Sequence, residues 1–418
     1  MHEFHYRQNE LYCEDVPVKT IAQEVGTPFY LYSAKTLLNH YRAYDSAFAS
    51  IPHIITFAMK ANSNLAILRL FAREGGGADI VSAGELYRAL QAGVDPQKIN
   101  FAGVGKTADE IRYALESNIL MFNVESSQEL RKIDEVAGRM KKKARVALRV
   151  NPNVDPKTHP YISTGMKKHK FGIGIDKALE EYKLAASLKH IEVVGIHQHI
   201  GSQLTETAPY VDALRRLLGL VEELKKLGID VQYVNIGGGL GITYDDETPP
   251  LPKELATAIG PLVKDLKCIL IMEPGRALVG NAGILVTKVL YTKEGDAKKF
   301  VIVDAAMNDL IRPSLYGAFH QIQPVIKRGR KPITADVVGP ICESADFMAK
   351  DREMEECLPE EYLAVMSAGA YGFAMASNYN ARRRTPEILV HGDRFDIVRE
   401  RETYADLIKG EHIPDFLK

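Results

Sequence analysis

Short runs rich in Val, Ile and Phe recur along the first two-thirds of the chain: IITFAMK (54–60), ADIVSA (78–83), INFAGV (99–104), LMFNVE (120–125), RVALRV (145–150), VVGIHQHI (193–200), VQYVNIG (231–237) and ILIMEPG (269–275). Their length and β-branched content predict strands. Between them apolar residues fall three and four apart, as in NLAILRLFARE (64–74), AGELYRALQAG (83–93), ADEIRYALES (108–117) and YVDALRRLLGLVEELKKLG (210–228). That spacing predicts helices, several of them ending at glycine. Strands that alternate with helices pair in parallel. Eight such strands over about 250 residues match a (β/α)8 TIM barrel; a doubly wound open sheet is the alternative.

After Arg276 the alternation stops. AGILVTKVLYTK (282–293), KKFVIVDA (298–305), TADVVGP (334–340), YLAVMSAG (362–369) and EILVHGDRFDIVR (387–399) read as strands joined by turns, which predicts an all-β C-terminal domain. The first 30 residues also lack the barrel rhythm, and FYLYS (29–33) has the make-up of a further strand of that domain.

Length and charge narrow the function classes. A chain of 418 residues is long enough for two or three domains. Its net charge of −1 gives no electrostatic reason to expect nucleic acid or a membrane surface as partner. No stretch approaches the roughly 18 apolar residues of a membrane span, and MHEFHYRQNELYCEDV lacks an apolar leader, so a cytoplasmic protein is expected. Cys13, Cys268, Cys342 and Cys357 form no CxxC pair, which speaks against a thiolate zinc site.

The chemistry-bearing residues cluster at predicted strand ends, where a barrel keeps its catalytic groups. Lys60 directly follows an apolar run, so its ammonium is half-buried and short of solvation. His197 and His199 flank Gln198; a metal would need further ligands that the sequence does not offer, and a ring-stacking role for one of them is the better functional reading. NIGGGLG (235–241) puts Gly237, Gly238 and Gly239 after the seventh strand, where backbone amides can approach a phosphate. EPGR (273–276) brings a carboxylate, a tight turn and a guanidinium out of the eighth strand. A carboxylate there can hold a pyridine nitrogen in its cationic form.

FAMKAN (57–62), ADIVSAGEL (78–86), HIGSQ (199–203), GGGLG, EPGR, CESAD (342–346) and GAYGFAMASNYN (369–380) together resemble the barrel-fold, pyridoxal-phosphate-dependent decarboxylases, in order and over nearly the whole chain. Within that family the likeness is strongest to the branch acting on meso-diaminopimelate, with NDLIRPSLYGAFH (308–320) the most telling segment. Two departures stand out: Phe57 where the family usually has Tyr, and Asn235 where ornithine-type relatives have Asp. The resemblance implies a barrel over 31–276 and a β domain built from 1–30 and 277–418. It implies pyridoxal 5′-phosphate as cofactor, bonded to Lys60, with His199 stacked on its ring and Glu273 at the pyridine nitrogen. Ser202, Gly237, Gly238, Gly239, Pro274, Gly275, Arg276 and Tyr371 would hold the cofactor, Arg276 and Tyr371 also lying near the substrate. Cys342 would return a proton after CO2 is lost, reaching in with Glu343 from the partner subunit of a homodimer. No metal is implied.

Charge selects among substrates. The distal end of meso-diaminopimelate carries a carboxylate and an ammonium. Arg312 suits the first through its planar fork. Tyr316, four residues on, adds a hydroxyl if the stretch is helical, and Glu343 suits the second. The alternatives are a decarboxylase of ornithine, arginine or a carboxylated polyamine such as carboxynorspermidine, and a silent decarboxylase-like regulator. Glu273 argues against a racemase, which generally places an arginine at the pyridine nitrogen.

Overall fold

Eight parallel strands close on themselves in the unit Leu37–Val279: β1 (His53–Ala58), β2 (Gly77–Ile80), β3 (Ile99–Phe101), β4 (Met121–Val124), β5 (Ala144–Asn151), β6 (Ile191–His197), β7 (Tyr233–Asn235) and β8 (Ile269–Met272). Each pairs with the next, and β8 returns to β1 with Leu270 beside His53 and Met272 beside Ile55. The closed ring is the expected TIM barrel, seen here in a computed structural model that describes residues 2–154 and 170–418. Strands shielded on both faces need apolar residues on both, which is why they read as predominantly apolar runs.

The turns leaving β1 to β4 end in helix caps. Asn64, Ser82, Thr107 and Ser126 accept from the amides of Ala66, Glu85, Glu110 and Glu129, opening helices Leu65–Arg73, Ala83–Gln91, Ala108–Glu116 and Ser127–Arg139. Each cap satisfies an otherwise unpaired amide and contributes about 1 kcal/mol. The short strand-to-helix turns fix the mouth of the barrel, where the polar residues gather.

The second unit takes Met1–Thr36 and Gly280–Lys418. Its long strand Gly283–Glu294 pairs antiparallel with Phe29–Ser33, with Lys299–Val303 and with Tyr362–Val365. Phe29–Ser33 is enclosed on its other side by Glu387–His391, in parallel. The unit divides at 36/37 and 279/280 rather than at 30/31 and 276/277. FYLYS is an interior strand of the β-rich unit, whereas the short helix Arg276–Val279 stays with the barrel, the Leu278 carbonyl lying 3.0 Å from His40 Nδ1. The run 387–399 is two strands broken at Gly392, which has a φ of 65°. Phe347–Glu355 is a strand that the apolar pattern does not announce.

Candidate active site

Lys60 lies one step beyond β1, in a short 3-10 turn Met59–Ala61, and its ammonium is 3.7 Å from Asp79 Oδ2 on β2. Its side chain keeps 39% of its exposure while that of Asp79 keeps 1%, so the lysine reaches the open end of the barrel past a buried acid. Burial first, and Glu273 second, push the Asp79 carboxyl well above the usual carboxylate range, against the pull of Lys60.

Glu273 follows β8 and is also buried. Its Oε1 accepts from Asn235 Nδ2 at 2.7 Å, Asn100 Nδ2 at 2.8 Å and Asn123 Nδ2 at 3.3 Å. Its Oε2 lies 3.3 Å from His197 Nε2. Burial alone would raise its pKa; His197, Lys60 and His199 outweigh that and hold the carboxyl at about 2. Three amide donors on one oxygen favour the anion in the same sense. Glu273 is therefore a fixed negative charge whose Oε2 carries, among the described residues, a single long contact.

His197 and His199 make different contacts. The strand ends at His197, so the alternation that would put both rings on one face does not extend to His199. His199 Nδ1 accepts from the Gly238 amide at 3.2 Å, which leaves that nitrogen without a proton. Burial, then Lys60 and Arg149, push the ring's pKa well below the usual histidine value. The ring is neutral, with a flat uncharged face.

The glycine loop packs where side chains cannot. A Cβ at Gly238 would sit 2.1 Å from the Glu273 carbonyl oxygen, and one at Gly237 would sit 2.5 Å from the Gln198 carbonyl oxygen. Gly239 has a φ of 115°. Gly275 meets the turn that carries Lys60, a Cβ there lying 3.1 Å from Ala58 Cβ and 3.2 Å from Ala61 Cβ, and the Pro274 carbonyl accepts from the Ala58 amide. Arg276 is buried, with Nη1 donating to Tyr244 Oη at 2.5 Å, and Nε and Nη2 donating to Ser202 Oγ at 3.2 and 3.1 Å. Lys60, His199, Ser202, Gly237–Gly239 and Glu273–Arg276 thus meet in one barrel mouth.

Behind them, Lys106 Nζ is enclosed by Glu129 Oε1 at 2.6 Å and the carbonyls of Gly103 and Asn123. Arg149 pairs with Glu125 at 2.7 Å. Buried ion pairs of this kind add little net stability but hold their backbones in register; here they brace β4 and β5.

The β-rich unit carries the remaining expected residues. Arg312 and Tyr316 open and close the helix Arg312–Tyr316, the guanidinium 5.7 Å from the ring centroid, so the stretch is helical as the spacing required. Arg312 is buried, with Nε donating to His320 Nε2 at 3.4 Å. Cys342 and Glu343 lie on one exposed loop; the Cys342 amide donates to Asn380 Oδ1 at 2.9 Å, and Glu343 Oε2 accepts from Tyr379 Oη at 2.7 Å. Tyr371 has a φ of 57°, a costly backbone for a bulky residue, of the sort found at working sites.

Asp79, Asn100, Asn123 and Tyr244 belong to the barrel-mouth network, although their sequence context assigns them no role. The signal was there for the first three: each is a polar residue inside a strand that is otherwise apolar and buried.

These residues suit pyridoxal 5′-phosphate. Buried Asp79 Oδ2, Asn100 Oδ1, Asn123 Oδ1 and His197 Nδ1, none of which has a hydrogen bond among the described residues, mark a polar chamber. Glu273 can take a ring N–H, and Arg276 supplies a cation for a phosphate.

Comparisons with known proteins agree. Residues 34–280 match the family described as pyridoxal-dependent decarboxylase, pyridoxal binding domain. The chain is 52% identical over 414 residues to a diaminopimelate decarboxylase of Pseudomonas aeruginosa, covering 99% of each. It is 51% identical over 405 residues to one from Aquifex aeolicus, covering 97% of this chain and 96% of that one. The crystal structure of diaminopimelate decarboxylase from M. jannaschii in complex with L-lysine superposes with a TM-score of 0.95, at 41% identity and full coverage of both chains.

Proposed function

This chain belongs to the pyridoxal-dependent decarboxylases, and from that premise we propose that it converts meso-2,6-diaminopimelate and a proton to L-lysine and CO2, the closing step of lysine biosynthesis. The observation that carries the chemistry is the barrel mouth, with Lys60 3.7 Å from Asp79 on one side and the ionised, amide-bound Glu273 on the other. The cofactor is pyridoxal 5′-phosphate; when bound, it withdraws electrons from the substrate α-carbon and so lets the carboxylate leave as CO2.

The chain's own residues do the rest. Lys60 bonds the cofactor covalently. Glu273 keeps a proton on the ring nitrogen, since a carboxyl held at about 2 does not take it away. His199, neutral, packs its flat face on the ring. Ser202, Gly237–Gly239, Pro274–Arg276 and Tyr371 bind the phosphate. Cys342 Sγ delivers the proton that replaces CO2 at the α-carbon. Arg312 and Tyr316 bind the distal carboxylate and Glu343 the distal ammonium, while Arg276 and Tyr371 also border the substrate. A substrate lacking the distal carboxylate offers the buried Arg312 guanidinium no anion, at a cost of about 2–5 kcal/mol. The working form is a cytoplasmic homodimer in which Cys342 and Glu343 complete the partner's site.

The test is CO2 release by purified protein with added cofactor from a panel of amino acids. Diaminopimelate should react, with ornithine, arginine and lysine slow or inert. A preference for ornithine or arginine overturns the substrate.

A further inference from the structure

Asn100 stands between the two buried carboxylates of the barrel mouth. Its amide nitrogen lies 2.8 Å from Glu273 Oε1 and 2.9 Å from Asp79 Oδ1. An asparagine amide carries two hydrogens, and here each has its own carboxylate. Glu273 is ionised and can only accept, so the nitrogen and not the oxygen must face it. Asn123 and Asn235 also donate to Glu273, but among the described residues neither bonds Asp79.

The fold alone does not ask for asparagine at this position. Its neighbours on β3, Ile99 and Phe101, are fully buried, and Asn100 Oδ1 has no hydrogen-bond partner among the described residues. An apolar side chain of the same shape would avoid burying that oxygen unpaired.

We propose that Asn100 is a positioning residue for the reaction: by giving one hydrogen to each carboxylate it ties the partner of the cofactor's ring nitrogen to the neighbour of Lys60 and holds them as one rigid unit. The inference rests on the roles of Lys60 and Glu273 given above. Without Asn100, Glu273 and Asp79 each lose a donor that favours the anion, and the proton affinity of both rises. The other charged groups acting on them stay in place: His197, His199 and Lys60 around Glu273, and Lys60, Glu85 and Arg149 around Asp79. The ring proton then loses the fixed anion that retains it.

The experiment loads the protein with cofactor labelled with 15N at the ring nitrogen and follows the nitrogen signal against pH, beside kcat and KM. Asn100→Leu should release the ring proton at a pH lower by about one unit or more. Its kcat should fall roughly 10- to 100-fold, with KM within about threefold. Asn100→Ser keeps one donor and should lie between Leu and wild type; it decides the matter by the same readouts if the Leu protein does not fold. Asn123→Leu, which removes one long bond, should move the signal less. A variant carrying the cofactor on Lys60 with the wild-type nitrogen titration overturns the proposal, even if kcat falls. Failure of borohydride to fix the cofactor to Lys60 in the wild type instead overturns the functional reading beneath it.

Discussion

Glu273 and Glu343 are both assigned to the reaction, and their surroundings differ in kind. Glu273 is buried and meets three asparagine amides and an imidazole, all from strands of one barrel. Glu343 is exposed and, among the described residues, its side chain accepts one hydrogen bond, from Tyr379, itself 44% exposed. The contrast extends to their neighbours. Lys60, His199, Ser202 and Arg276 are held by strand ends and a glycine loop, whereas Cys342 rides an exposed turn. A carboxylate enclosed by fixed donors pays its reorganisation when the protein folds and has nothing left to arrange during catalysis. A group on an open loop is finished only by what comes to lie against it. The barrel mouth is thus organised by its own unit, whereas Cys342 and Glu343 of the β-rich unit are exposed on a loop, and the proposal above gives them a substrate and a second subunit to meet.

The widest break of that comparison comes at Lys60. Lys60→Ala should lose the near-visible absorbance of the bound cofactor and about 10⁴-fold or more of the activity. Borohydride should label Lys60 in the wild type; trapping at another lysine moves the site. Next is Cys342→Ala, which should cost roughly 10²- to 10³-fold while the cofactor spectrum stays. Mixed with Lys60→Ala and allowed to exchange, it should recover about a quarter of the wild-type sites, since half the dimers are mixed and each mixed dimer rebuilds one site of two. No recovery after verified exchange removes the shared site.

Arg312→Ala sharpens the contrast between the two units. It should lower kcat/KM for diaminopimelate by about 10²-fold with an unaltered spectrum, because it leaves the barrel mouth intact. A variant as active as the wild type removes Arg312 from the substrate.

The smallest effect concerns stability. Burial pushes Asp309, in the β-rich unit, from 3.8 to about 7. The native state binds this proton more tightly than the unfolded chain does, so the group's stabilisation is full below about pH 4 and is lost as pH rises through about 7. Asp309→Asn, neutral throughout, should match the wild type in acid and exceed it by up to about 4 kcal/mol at pH 8. Urea unfolding at both pH values reads the difference; equal stabilities at pH 8 show that burial is not shifting this group.

The barrel was legible because strands buried on both faces are mostly apolar, and the eight runs, rich in Val, Ile and Phe, recur between helical patterns. Phe347–Glu355 was not, because FMAKDREME is mostly charged and becomes a strand through its pairing with Pro332–Val338. The hairpin Phe4–Arg7 and Glu10–Cys13 was hidden for a different reason. Its turn puts Gln8 and Asn9 at φ of 47° and 67° without the glycine that usually signals such a turn. In the site, the motif residues stood at strand ends and could be picked out. Asn100 and Asn123 could not be given a partner, since the carboxylate they bind lies 173 and 150 residues away.

The placement of Phe29–Ser33 inside the β-rich sheet sets a timetable for synthesis. Its antiparallel partner begins at Gly283 and its parallel partner at Glu387. At roughly 5–20 residues per second, the second partner leaves the ribosome about 20–70 s after the strand itself. Until the antiparallel partner emerges, roughly 12–50 s after the strand, FYLYS, apolar and aromatic, has no native edge to pair with, while every strand of the barrel is made and free to close. The nascent chain therefore carries an unpaired, aggregation-prone segment at its leading end for most of its time on the ribosome. Slow translation lengthens that exposure, and a chaperone that shields short apolar segments gains most by binding there.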